Sequence, residues 1–114
     1  MKKTIVIKIG GNASNQLPAT FFTQLKKWWL EGERILIIHG GGPQISELSA
    51  KMNLSVKKIN GIRVTDPQTL DITKAVLLGN VQPKICQEIT DSGLPVVGLN
   101  SAENHLLQGE YLDQ

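Results

Sequence analysis

Cysteine is nearly absent from this sequence. The single residue, Cys86, allows no disulfide within these 114 residues and no cysteine-based metal cluster. That usage fits a reducing compartment. Charge of one sign is scarce too: 12 Lys and Arg stand against 10 Asp and Glu, leaving a formal net charge of +2. The basic residues are spread without a dense run, whereas nucleic-acid binding calls for a clustered basic face, so nucleic acid is not the expected partner. Long hydrophobic runs are missing as well. The apolar stretch Thr4-Ile5-Val6-Ile7, behind Met1-Lys2-Lys3, is broken by Lys8 and two glycines. It is too short for a signal-peptide core or a membrane span, so no membrane partner is expected and the protein is read as cytoplasmic. Aromatics make up 4% of the chain, and both Trp and both Phe residues fall in one short segment.

What is present suits a globular domain. Hydrophobic residues are 40% and charged residues 19%, ordinary values for a soluble fold. A length of 114 residues is enough for one domain with its own core. Thr4 to Ile9 is β-branched and apolar and stops at Gly10-Gly11, the pattern of a buried strand before a turn. Residues 19 to 31 set Phe21, Phe22, Leu25, Trp28 and Trp29 at helical spacing, with Lys26, Lys27 and Glu31 off that stripe and Gly32 as the stop. The aromatics are read as core packing. Ile35 to Ile38 is a second short strand, closed by His39-Gly40-Gly41-Gly42. A helix follows with Pro43 in its first turn and Ile45, Leu48 and Met52 along one face. Strand and helix alternate in this way in parallel sheets covered by helices.

The middle of the chain reads differently. Val56 to Ile59 and Ile62 to Thr65 flank Asn60-Gly61, a strong hairpin signal. Asp66-Pro67 then predicts a capped helix to about Leu78, a break at Gly79-Asn80, and a second helix to about Asp91 that Ser92-Gly93 stops. Leu94 to Leu99 is expected as a third strand. The tail from Asn100 to Gln114 is polar, with a second hairpin or a frayed end as its two readings. The fold class is therefore α/β, a mostly parallel sheet sandwiched by helices with a β-hairpin insertion.

Three places carry chemistry. Lys8 sits near the carboxyl end of a strand, where open α/β sheets bind ligands, and Gly10-Gly11 leaves the backbone bare to an anion. A phosphate clamp and a snorkelling lysine before a plain turn are both compatible with it. The second place, His39-Gly40-Gly41-Gly42-Pro43, puts three glycines between a strand and a helix N-terminus, an anion cradle. It lacks the Gly-Lys-Ser/Thr of a Walker A loop, and Ile45 stands where a dinucleotide fingerprint has Gly or Ala. The third is Arg63, in Asn60-Gly61-Ile62-Arg63-Val64-Thr65, where a guanidinium could grip a carboxylate bidentately or stay solvated. His39 is read as a framework histidine, Asp71 and Lys74 as a surface pair, and Cys86 as structural. His105 has no metal-ligand spacing around it.

In order and spacing, the Lys-x-Gly-Gly start, the His-Gly-Gly-Gly turn and Asn-Gly-x-Arg-Val-Thr resemble the acetylglutamate kinases of the amino-acid kinase family. The resemblance runs from about Lys3 to Leu99. It implies ATP-dependent phosphorylation of the side-chain carboxylate of N-acetyl-L-glutamate in arginine biosynthesis, with ATP and Mg2+ as cofactors. It gives Lys8 the role of stabilising the transferring phosphoryl group, and Gly10 and Gly11 the phosphate contacts. Gly41 and Gly42 would bind the acyl amino acid, and Arg63 its carboxylate. It further implies a homodimer with the helix from Pro67 near the subunit contact. Residues 1–114 would then be a single N-terminal substrate-binding domain. The family's nucleotide-binding half cannot be placed in these residues, so the chain alone is expected to be inactive. Asn100-Ser101-Ala102-Glu103-Asn104 stands where the family often shows a Gly- and Asp-rich turn. Two other readings remain beside this one. One is a non-catalytic acyl-amino-acid-binding module. The other is a different acyl-phosphate-forming kinase, against which the Asn60 to Thr65 segment argues.

Overall fold

The structure is a computed structural model that describes residues 2–54, 57–101 and 103–110, with the backbone alone described at Lys57 and Arg63. Its elements run β1 (Thr4–Ile9), α1 (Gly11–Ser14), α2 (Ala19–Leu30), β2 (Arg34–His39), α3 (Gly42–Lys51), β3 (Lys57–Ile59), β4 (Ile62–Val64), α4 (Pro67–Val76), a π turn (Leu77–Val81) and α5 (Gln82–Asp91). The fold is α/β. β1 and β2 pair in parallel, Thr4 opposite Arg34 through to Ile9 opposite His39. β3 and β4 form the expected antiparallel hairpin. Asn60 and Gly61 supply its two positive-φ positions, φ 51 and 77, as the Asn-Gly signal requires.

The parallel pair shows the alternation of a strand with one covered face. Ile5, Ile7 and Ile9 point inward, as do Ile35 and Ile37, while Val6, Lys8, Leu36 and Ile38 lie on the open face. Among the described residues the helices cover one side of this pair. Among the described residues the main core cluster is Leu25, Ile45, Ile72, Val76, Val81, Ile85, Ile89 and Leu94, with Phe21, Phe22 and Trp28 packed against it. Phe21 and Phe22 meet edge to face at 5.3 Å. Trp29 departs from the expected stripe. It follows Trp28 by one residue, a turn of about 100°, and is 46% exposed.

Helix ends follow from local chemistry. α2, α3 and α5 all close with the same paired bonds. In α2, Gly32 N–H donates to Trp29 O and Glu33 N–H to Trp28 O, both at 3.0 Å. In α3, Asn53 takes the left-handed position at φ 56 and Leu54 N–H reaches Ser49 O at 2.8 Å. In α5, Gly93 N–H donates to Thr90 O and Leu94 N–H to Ile89 O. These are Schellman ends, which satisfy orphan carbonyls and, after α3 and α5, turn the apolar Leu54 and Leu94 inward. Leu94 is buried accordingly. At the head of α4 the Asp66 side chain accepts from Thr69 N–H at 2.8 Å, the cap expected there.

Two expectations need correction. No break occurs at Gly79-Asn80: α4 continues through the π turn into α5 as one rod. A glycine in a helix costs about 1 kcal/mol, but Ile72, Val76, Val81, Ile85 and Ile89 are all buried along this rod and hold it. Pro83 sits in the first turn of α5 and has no N–H to donate. A wide turn just before it accommodates that gap. Leu94 to Leu99 forms no strand. Pro95 removes a donor, Gly98 lies against the Gln82 side chain, and Leu99 O accepts from Gln82 Nε2 at 3.0 Å, so a side chain takes the place of a ladder partner. Residues 103–110 hold turns and no strand; of the tail read as a hairpin or a frayed end, Tyr111 and Leu112 lie outside the described residues, as do Ser55 and Val56 of the first hairpin's entry.

Candidate functional site: two glycine turns at one sheet edge

Two strands that pair in parallel deliver their exits to the same edge. Gly10-Gly11 leaves β1 and Gly40-Gly41-Gly42 leaves β2, so both glycine turns meet there. The ladder extends one bond into them, from Gly40 N–H to Ile9 O at 3.0 Å. Their approach is close. A Cβ built on Gly11 would stand 3.1 Å from Gly41 Cα, 2.6 Å from Pro43 Cδ and 2.6 Å from Gln44 Oε1. Gly11 is glycine because the second turn fills the space a side chain needs. On the far side of the second turn, a Cβ on Gly41 would stand 2.7 Å from Leu77 Cδ2 and 3.3 Å from Val81 Cγ2. The π turn thus forms the floor beneath Gly41.

Short elements position these turns. α1, absent from the sequence-based expectation, is a single turn begun at Gly11, with Ser14 Oγ donating to Gly11 O at 2.9 Å. Gln44 reaches across from α3: its Nε2 lies 2.8 Å from Gly11 O and 3.1 Å from Asn15 Oδ1. Sequence reasoning overlooked Gln44. The available signal was a long amide two positions after Gly42, at the start of a helix that leaves a parallel pair. His39 Nδ1 lies 3.1 Å from Gly40 O, its own neighbour's carbonyl.

Lys8 lies on β1 opposite Ile38, exposed on the open sheet face. Gly10 and Gly11 form the first turn, and Gly41 and Gly42 open α3. These five residues gather at or beside one edge. Arg63 is in β4, paired with Lys58 in the hairpin, and its side chain lies outside the description. An ion pair joins Lys51 to Glu47 at 3.2 Å on exposed α3; Asp71 and Lys74 do not form the expected one. Among the described residues no group of three or more His, Cys, Asp or Glu could hold a metal, and no helix is long and apolar enough to cross a membrane. A cleft of about 170 Å³ between α3 and α4 is below the usual size of a small-molecule pocket.

Comparison with known proteins places this arrangement. Residues 3–112 match the amino acid kinase family, and the chain belongs to that family. It is 52% identical over 113 residues to the acetylglutamate kinase of Lactiplantibacillus plantarum, covering 99% of this chain and 46% of that protein. The acetylglutamate kinase of Leuconostoc mesenteroides is 49% identical over 112 residues, 46% of its length. A crystal structure of a Streptococcus mutans protein superposes at a TM-score of 0.93 with 39% identity, over 99% of this chain and 46% of that one. The chain therefore spans about half the length of the relatives it matches, and it has the amino-acid kinase fold. An N-acetylglutamate synthase from Neisseria gonorrhoeae shares the fold at a TM-score of 0.61 and 22% identity.

Proposed function

We propose that this chain is the acyl-amino-acid-binding half of an acetylglutamate kinase, which transfers the γ-phosphoryl of ATP to the side-chain carboxylate of N-acetyl-L-glutamate. The observation that supports it most is the contact between the two glycine turns, with Gly11 against Gly41. Phosphoryl transfer asks mainly for two anionic groups to be held in line with their charge neutralised. Two bare turns at one sheet edge offer that arrangement. In this reading Gly41 and Gly42 bind the acyl amino acid at the head of α3, where the helix dipole favours a carboxylate. Gly10 and Gly11 approach the phosphates. Lys8 places its ammonium at the transferring group, and Arg63 grips the α-carboxylate. Kinase chemistry takes ATP with Mg2+, an ion held largely through the substrate's phosphates and water; among the described residues no group of three or more His, Cys, Asp or Glu gathers to hold it. The assembled protein is read as a cytoplasmic homodimer with α4, whose Leu70 is 43% exposed, near the contact.

The test is calorimetric titration of the purified chain with N-acetyl-L-glutamate, with Arg63→Ala as control. Saturable binding that the variant loses is the expected result. Absence of binding at millimolar ligand, with the fold intact, would count against a substrate site in these residues. ATP-dependent phosphorylation by the 114-residue chain alone would overturn the expectation that it is inactive by itself.

A further inference from the structure

We infer that Gln44 is a positioning residue that sets the distance between the two glycine turns, acting through the carbonyl of Gly11. The inference rests on the functional reading above for what the turns bind, and on geometry alone for the clamp itself.

The side chain starts on α3, two residues beyond the second turn, and ends at the first. Three atoms surround its Nε2: Gly11 O at 2.8 Å, Asn15 Oδ1 at 3.1 Å and Ser14 Oγ at 3.4 Å. A carbonyl can only accept, so Gly11 O fixes the amide with its nitrogen toward α1. The two N–H groups then go to Gly11 O and Asn15 Oδ1, the nearer pair. Gly11 O also accepts from Ser14 Oγ, which fills its second lone pair. Gln44 Oε1, by contrast, is buried with no hydrogen-bond partner in the described structure. What the placement gains is a tether.

That tether completes a frame. Gly40 N–H to Ile9 O ties the strand side of the turns. Gln44 to Gly11 ties the helix side. Without the second tie, Gly11 and the short α1 keep their own bonds and their packing against Pro43 but lose the side-chain tether from Gln44. Both turns are glycine-rich, and such backbone drifts readily when it is not tied. Two anions held on them would then lose their fixed separation, and misplacement by about 1 Å is enough to slow transfer chemistry severely.

The experiment uses the full chain and three variants. Gln44→Met keeps length and shape and removes the donors. Gln44→Glu keeps the shape and can donate to Gly11 O only while its carboxyl is protonated. Gln44→Ala also removes the bulk. Amide hydrogen exchange by NMR is measured at Gly10, Gly11, Gly40 and Gly41, with β1 and α2 as internal controls, alongside N-acetyl-L-glutamate titration. Gln44→Met is expected to speed exchange in both turns by about three- to tenfold, with controls unchanged, and to weaken N-acetyl-L-glutamate binding by a similar factor. Gln44→Glu is expected to protect the turns like wild type while its carboxyl is protonated, and to lose that protection as pH rises through its pKa, which the acceptors Gly11 O and Asn15 Oδ1 hold above the ordinary value of about 4.3. A purely structural filler would give wild-type exchange in Gln44→Met and no pH dependence in Gln44→Glu, and either result overturns the inference. If wild type itself fails to bind N-acetyl-L-glutamate while the exchange pattern holds, the clamp stands and the substrate reading falls.

Discussion

Gly41 and Leu77 are in contact across the second turn. An added methyl at Gly41 would stand 2.7 Å from Leu77 Cδ2. The leucine end can swing, but Val81 Cγ2 waits behind it at 3.3 Å, and a β-branched side chain that is buried has nowhere to go. Gly41→Ala should therefore destabilise the chain by about 1–3 kcal/mol through overpacking. Combined with Leu77→Ala, it should cost less than the sum of the two single changes, because the second substitution opens the space the first one fills. Urea denaturation of the four proteins measures this, and strict additivity would show that the two residues do not share the space.

Gly10 and Gly11 are neighbours with opposite expected behaviour. Nothing lies within 4 Å of a Cβ on Gly10, and its backbone is extended at φ −71 and ψ 161. Gly10→Ala should leave stability within about 0.5 kcal/mol of wild type, or raise it slightly by stiffening the unfolded chain. Gly11→Ala meets Gly41 Cα at 3.1 Å as well as Pro43 and Gln44, and backbone cannot step aside as a side-chain tip can. A loss of about 1–3 kcal/mol is expected. Equal denaturation midpoints for the two variants would show that the turns are not in contact.

Much of this architecture could be read from local residue patterns. Thr4 to Ile9, the 19 to 31 stripe, Asn60-Gly61 and Asp66-Pro67 each state their structure within a few residues, because the forces that decide them act over one turn or one strand. Each glycine turn was legible at the end of its strand; that the two meet at one edge follows from the parallel pairing of β1 and β2. What escaped depends on contacts distant in sequence. Gln44 acts on Gly11, 33 residues away, and an amide on a helix gives no local sign of where it reaches. The strand expected at Leu94 to Leu99 does not form, and the Leu99 carbonyl is taken instead by Gln82, 17 residues away. The helix break expected at Gly79 fails because buried residues on both sides outweigh the local preference of a glycine.

Capping at α4 should be measurable. The Asp66 side chain holds Thr69 N–H at 2.8 Å, and the rod that begins there carries Ile72, Val76, Val81, Ile85 and Ile89 into the core. Asp66→Ala should lower stability by about 1 kcal/mol, and Asp66→Asn, which still presents an oxygen, by only a few tenths. Thermal denaturation of the pair distinguishes them. Equal losses would mean that the charge of Asp66 matters more than its cap.

Lys8 allows stability and function to be separated. Its side chain is exposed on the open face of β1, so Lys8→Met should change the denaturation midpoint by less than about 0.5 kcal/mol. If its ammonium serves the phosphates, the same variant should weaken tripolyphosphate binding to the chain by about three- to tenfold, the range of a partly solvated charged contact. Unchanged binding with an unchanged fold would remove Lys8 from the site.

The open face of the parallel pair predicts behaviour in solution. Val6 is 58% exposed, Leu36 47% and Ile38 51%, and they lie side by side because β1 and β2 are in register, Lys8 opposite Ile38 and Val6 opposite Leu36. A contiguous apolar surface on a sheet is a site for association, and strand edges left unpaired add a backbone template. The purified chain should therefore self-associate as its concentration rises, seen as an increase in weight-average mass by sedimentation velocity. Ile38→Lys puts a charge at the centre of the patch, directly opposite Lys8, and should hold the chain monomeric over the same range, at a cost in stability of up to about 1 kcal/mol from the like-charge pair. Association that survives Ile38→Lys unchanged would locate the contact elsewhere, with the exposed apolar residues Ile59 and Ile62 of the hairpin as the next surface to alter.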